Sequence, residues 1–216
     1  EWRRDFIRTY LERDLPALGL RMAPATLDRF WSMIAHYHGQ LWNASEIGRS
    51  LGAADTTVRG YLDAMAGAFA VTVLRPWHEN LGKRQIKAPK VFVLDSGLLH
   101  NLLDIRDRLA LERHPKSGAS WEGFAIEQLR IRLRAERSEC YFWRTAAGAE
   151  LDFLVVRGRA RLGFEIKRSS APTMTPSMRA AVSDLKLSRL YVIHGGTHSF
   201  DMAPRIRAVP LADFRI

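Results

Sequence analysis

The stretch Gly148-Ala149-Glu150-Leu151-Asp152-Phe153-Leu154-Val155-Val156 is followed by Arg157-Gly158-Arg159-Ala160 and then Arg161-Leu162-Gly163-Phe164-Glu165-Ile166-Lys167. It reads as two β-strands joined by a short loop. Apolar and polar residues alternate at both outer ends, and a glycine sits in the loop. With Arg157 to Ala160 as the loop, Val156 faces Arg161. Counting back sets Asp152 opposite Glu165 and Glu150 opposite Lys167. Cross-strand neighbours have Cβ atoms roughly 4.5–5.5 Å apart. Two carboxylates at that separation repel unless positive charge lies between them. Lys167 supplies part of that charge, and a hard divalent cation with oxygen ligands would supply the rest.

Asp152, followed by Glu165-Ile166-Lys167, resembles the D…(D/E)-x-K motif of the PD-(D/E)XK nuclease superfamily. The resemblance implies that Asp152 and Glu165 bind magnesium, with manganese as substitute, and that Lys167 positions or activates the attacking water. Such a metal polarises a phosphoryl oxygen and lowers the pKa of water. The residue before Asp152 is Leu151 where the motif has proline.

Composition narrows the partner class. The 216 residues are 47% hydrophobic and 26% charged, an ordinary balance for a soluble protein, but the formal net charge is +10. That excess favours a nucleic-acid partner, with DNA the expected one and plain solvation the other account. The lone Cys140 excludes an intrachain disulfide and suits a cytoplasmic location. No apolar run approaches the roughly 20 residues of a membrane span, so no membrane partner is expected. The chain opens in a helical pattern without Met, as a fragment of a longer protein would.

Residues 1–24 read as an N-terminal packing helix, with Trp2, Phe6, Tyr10, Leu11 and Leu15 near one face and Pro16 and Gly19 ending it. Residues 25–108 have the pattern of a winged helix-turn-helix domain. Thr26 caps a helix to His38, Asn43 or Ser45 caps a short one to Leu51, and Asp55 caps a third to Ala68. Thr57 and Arg59 stand on the exposed side of that third helix. A strand from Phe69 to Leu74 and a return strand from Lys90 to Leu94 enclose a basic tip, Lys83, Arg84, Lys87 and Lys90, placed as a wing on phosphate. Protein contact is the competing reading, since the recognition helix carries one cation.

Arg106 to Lys116 reads as charged and irregular, and the domain boundary falls between Leu103 and Ser120. Over 118–216, Ser120 caps a helix from Trp121 to about Ala135. Strand Tyr141–Trp143, the hairpin, helix Met174–Leu187, strand Leu190–His194 and a last strand Arg207–Pro210 follow. Helix, three strands, helix, strand matches the αβββαβ core of the superfamily. The fold class is therefore α+β or α/β: a winged helix-turn-helix followed by a restriction-endonuclease-like domain. In the superfamily a glutamate on the first helix often joins the metal, which would be Glu122; a first-turn dipole partner is the plainer account. Arg144 and Arg168, beside the hairpin, complete the expected nucleic-acid contacts. His36, His38, His78, His100, His114, His194 and His198 show no zinc-ligand spacing.

Tyr10-Leu11-Glu12-Arg13-Asp14-Leu15, Asn43-Ala44-Ser45-Glu46, Pro89-Lys90-Val91-Phe92-x-x-Asp95-Ser96-Gly97-Leu98, Trp121-Glu122-Gly123-Phe124 and Glu150-Leu151-Asp152-Phe153 stand in order. Together they resemble the C-terminal region, a domain of unknown function, of a prokaryotic family of AAA-type ATPases. The resemblance implies an upstream ATPase module as partner. This chain carries no G-x-x-x-x-G-K-[ST], so ATP hydrolysis is not expected of it. Metal-dependent DNA cleavage is the expected activity. The runner-up is an inactive nuclease-fold module that binds nucleic acid or protein and regulates the ATPase.

Overall fold

The computed structural model describes residues 2–17, 22–79, 82 and 84–215. It divides into two units, Glu1–Val73 with Lys90–Gly123, and Leu74–Pro89 with Phe124–Ile216. Residues 74–89, expected within the winged-helix span 25–108, fall in the second unit. Gly19 and Lys83 lie outside the described residues.

In the first unit, α1 (Trp2–Thr9) continues through a π-helical turn, Tyr10–Asp14, into α2 (Leu15–Ala17). Ile7, Leu11 and Leu15, four apart, are the residues it buries. Trp2 is 71% exposed, a correction to the expected inward face; its ring stacks on Phe6, which stacks on Tyr10. Next come α3 (Pro24–Tyr37), β1 (Gln40–Leu41), α4 (Ala44–Leu51), α5 (Asp55–Gly67), the start of β2 (Val71–Pro76) and β3 (Lys90–Val93). Pro24 starts α3, where its fixed φ suits a helix and its missing N–H is no loss. The helix sinks Leu27, Phe30, Trp31 and Ile34 into the core, the spacing of one face. The Asn43 side chain accepts the Glu46 N–H to cap α4, and Gly52, at φ +65°, ends it. Val58, Leu62 and Met65 bury the inner side of α5. β3 lies between β1 and β2, antiparallel to β1.

Asp95 caps α6 (Ser96–Leu102), and Asp107 caps α7 (Arg108–Arg113), a helix where an irregular stretch was expected. The sequence shows charge there, but the cap decides, since its carboxylate takes the Ala110 N–H. α8 (Ser117–Arg132) starts three residues before the expected cap, so Ser120 lies inside it and its hydroxyl meets His100 Nε2 at 2.8 Å. The motif glycine Gly123 has a packing reason. A Cβ there would lie 2.6 Å from His38 Nε2, on a ring held by the Val93 N–H and the Ala119 carbonyl.

In the second unit, the rest of α8 precedes β4 (Cys140–Arg144), β5 (Glu150–Arg157), β6 (Ala160–Lys167), α9 (Pro176–Asp184), β7 (Arg189–His194), β8 (Phe200–Ala203) and β9 (Ile206–Pro210). β8 was not anticipated. The mixed sheet runs β4-β5-β6-β7-β9-β8. β4, β5 and β6 pair antiparallel, β6, β7 and β9 parallel, and β8 returns antiparallel on β9. Thr175 caps α9, which lies on β5, β6 and β7. Met178, Ala181 and Leu185 meet Leu154, Leu190 and Val192 beneath it. On the opposite face Phe153, Phe164, Tyr191 and Phe214 form a ring cluster.

Along the outer side of β4, Arg75 and Pro76 pair parallel with Tyr141 and Phe142. Further on, Gln85 bridges Thr145, the Ile86 N–H reaches the Arg144 carbonyl, and the Ala146 N–H reaches the Arg84 carbonyl. Residues 84–86 therefore extend the second unit's sheet. Gln85 fixes them, its Oε1 accepting from Trp143 Nε1 and from the Glu79 N–H.

Candidate metal and phosphodiester site

The hairpin ladder runs from Arg157↔Ala160 to Phe153↔Phe164, with Val156 facing Arg161 as the sequence implies. Only Gly158 and Arg159 form the turn, shorter than the expected loop. If the closing pair exchanges both hydrogen bonds, every second pair does, and the Ile166 N–H would next serve the Leu151 carbonyl. It donates instead to Asp152 Oδ2 at 2.8 Å. The regular ladder ends before Asp152, and the aspartate side chain holds the N–H that the parting strands leave. Asp152 and Glu165 thus flank a divergence rather than standing as a squared ladder pair.

Asp152 lies in a β-bulge: Tyr141 pairs with Leu154 but Trp143 with Leu151, so β5 uses one more residue than β4 there, and its alternation does not run through Asp152. Glu165 and Lys167 lie on the face of Gly163, which is toward α9. A Cβ on Gly163 would come 2.5 Å from Leu187 Cδ1, which is why this row is apolar and close-packed below and acidic above. The cluster sits at the carboxyl end of β6.

Glu165 is 5% exposed. Its Oε1 accepts from Lys167 Nζ at 2.6 Å, while Oε2 is buried with no hydrogen-bond partner among the described residues. Burial first, then the neighbouring Asp152 charge, pushes its carboxyl up to about 7; Lys167 opposes the shift and Glu150 adds to it. Lys167 is partly exposed, its side chain at 36%. Glu150 pairs with Arg144 at 3.4 Å.

Glu122 belongs to the first unit, where its Oε1 takes Lys90 Nζ at 2.9 Å. Lys90 is 4% exposed, so it is a buried ion-pair partner and not the exposed wing cation that was expected. Thr57 and Arg59 are exposed on α5. Arg84 and Lys87 are exposed but belong to the second unit, and Arg168 is exposed directly after Lys167. Among the described residues no three or more His, Cys, Asp or Glu gather as a metal cluster. The donor set at the hairpin is therefore two carboxylates. Magnesium accepts such a set, because it keeps several waters and takes substrate phosphate oxygens as further ligands. Nothing in the sequence marks the Ile166 amide as the group that orients Asp152, since every residue but proline carries that donor.

Residues 1–109 match the model of a domain of unknown function, DUF8612. The chain belongs to the DUF8612 family. Residues 117–214 match a second domain of unknown function, DUF4143. The DUF8612 match holds the helices α1 to α6, and the DUF4143 match holds Asp152, Glu165 and Lys167. The chain is similar to an uncharacterized protein of Mycobacterium tuberculosis and to one of Mycobacterium bovis. Each is 52% identical over 209 residues, covering 97% of this chain and 47% of the relative. The chain therefore spans about half the length of these relatives. No solved structure matches this DUF8612 chain. Among the described residues no helix is long and apolar enough to cross a membrane.

Proposed function

We propose that the second unit is a metal-dependent phosphodiesterase acting on DNA, a PD-(D/E)XK-like nuclease module. The carrying observation is the buried Glu165 oxygen without a hydrogen-bond partner among the described residues, beside Asp152 and with Lys167 at its other oxygen. A buried carboxylate oxygen is costly unless something satisfies it. Asp152 and Glu165 would hold magnesium, which when bound supplies Lewis-acid polarisation of the phosphoryl group and a more acidic water. Asp152 is aimed by the Ile166 N–H. Lys167, partly open to solvent, orients the incoming water or a phosphate oxygen. Glu122 enters this reading as an assisting carboxylate, with its pairing to Lys90 as the competing structural role.

The first unit reads as a winged helix-turn-helix, supported by the order α3, β1, α4, α5, β2, β3. Thr57 and Arg59 would then face DNA. The family-like motifs and the doubled length of the relatives support an AAA-type ATPase module as the partner in a longer protein.

A second reading, an inactive nuclease fold that binds nucleic acid or protein and regulates the ATPase, draws on the 2.6 Å contact of Lys167 with Glu165. An ammonium there already neutralises one carboxylate. Plasmid cleavage decides between them. Nicking supported by magnesium or manganese and lost in Asp152→Ala and Lys167→Ala supports the nuclease. A purified chain that cuts nothing with either metal removes it.

A further inference from the structure

A polar cleft of about 740 Å³ lies between α1 and the end of α6, wholly within the first unit. Small-molecule sites span about 300–1,000 Å³. α1 packs along α6, and Gly97 in the first turn of α6 makes room for an arginine. A Cβ there would lie 2.8 Å from Arg3 Nε. At the other end of α6 the chain turns through Asp104, at φ +53°, and the Ile105 N–H closes on the His100 carbonyl at 2.8 Å. The Asp104 carboxylate takes Arg106 through two bonds of 3.1 Å. Arg106 first, and Arg4 from further off, hold that carboxyl below its ordinary value.

Among the described residues, three guanidinium groups thus line the cleft against one carboxylate. Neither Arg3 nor Arg4 is ion-paired among those residues. The Asp104–Arg106 pair is exposed on both sides, so it holds Arg106 weakly. The remaining wall is aromatic. One face of the Trp2 indole stacks on Phe6, with centroids 5.4 Å apart, and the exposed remainder leaves the other face for a second ring.

We propose that this cleft binds a nucleotide, with the base stacked on Trp2 and the phosphate held by Arg3, Arg4 and Arg106. Guanidinium forks match phosphate oxygens, and an open indole matches a base. A protein-docking face would be poorer in charge at its centre. The same chemistry serves a free mononucleotide or one nucleotide of a single strand. The site belongs to the first unit and does not depend on the nuclease reading.

Tryptophan emission reads the site. Trp31, Trp42 and Trp143 are buried, and Trp2 is the tryptophan that stands exposed among the described residues. The chain in EDTA is titrated with thymidine triphosphate and with an oligothymidylate of about eight nucleotides. Quenching is expected, and it should vanish in Trp2→Phe, which keeps a ring on Phe6. By anisotropy of the labelled oligomer, Trp2→Ala should weaken binding at least about fivefold. Arg3→Ala and Arg4→Ala should each weaken it roughly threefold and lower the slope of log K against log salt by about 0.7. Arg159→Ala, in the hairpin turn of the second unit, should leave the quenching curve unchanged. Quenching by both ligands supports a mononucleotide site, and quenching by the oligomer alone supports a strand site. No quenching of the native chain by either ligand would overturn the proposal. So would quenching that survives in Trp2→Phe, native binding in both arginine variants, or an equal loss in Arg159→Ala.

Discussion

The Asp152 carboxylate accepts the Ile166 amide N–H at 2.8 Å, across the point where β5 and β6 part. This one bond ties a side chain of the candidate site to the backbone that carries Glu165 and Lys167.

The bond separates structure from chemistry at this position. Asparagine keeps an oxygen for the Ile166 N–H, while alanine removes it. Asp152→Asn should melt within about 0.5 kcal/mol of the native chain, and Asp152→Ala should lose about 1 kcal/mol more, in urea denaturation. Both should lose cleavage. Equal stability of the two variants would mean the bond contributes nothing.

Glu165 sets a pH dependence. Its folded carboxyl is raised to about 7 from an ordinary value of 4.5. The folded state therefore binds the proton more tightly than the unfolded state. The stabilisation is complete below about 4.5 and is lost as pH rises through about 7. Glu165→Gln, which mimics the protonated acid, should melt higher than the native chain at pH 8, with the gap closing by pH 4.5. A gap that grows toward low pH would show the carboxyl lowered instead.

Lys90 and Glu122 give a test of the first unit. Lys90 has a side chain only 5% exposed, 2.9 Å from the Glu122 carboxylate. Glu122→Ala removes that carboxylate and should cost about 3 kcal/mol, the usual penalty for breaking one half of a buried pair. Loss of cleavage in Glu122→Ala with no loss of stability would favour the metal role.

Much of the local structure was legible. The turn at Gly158 and the alternation on both strands fixed the Val156↔Arg161 register, because a slip of one residue would turn every apolar side chain outward. The cap Asn43 was readable as one of two candidates with Ser45, because short polar side chains before an apolar period satisfy the first helical N–H groups. Three features were not readable, each set by contacts distant in sequence. The N-terminal helix passes through a π-helical turn at Tyr10–Asp14 and buries Ile7 while leaving Trp2 exposed. The burial of Lys90 depends on Glu122, 32 residues away. The attachment of Arg84 to the β4 side of the second sheet depends on backbone pairing with 144–146, which no periodicity in 80–90 announces. At the site, the shared face of Glu165 and Lys167 followed from parity, while the bulge of β5 at Asp152 did not. The divergence that spares the two acids a squared pairing did not.

Calorimetric titration with manganese at pH 7.5 is the most direct test of the central claim, that Asp152 and Glu165 jointly hold a divalent cation. One site per chain is predicted, abolished in both Asp152→Asn and Glu165→Gln while each variant keeps its cooperative melt. No heat in the native chain, or the same isotherm in all three proteins, would contradict it.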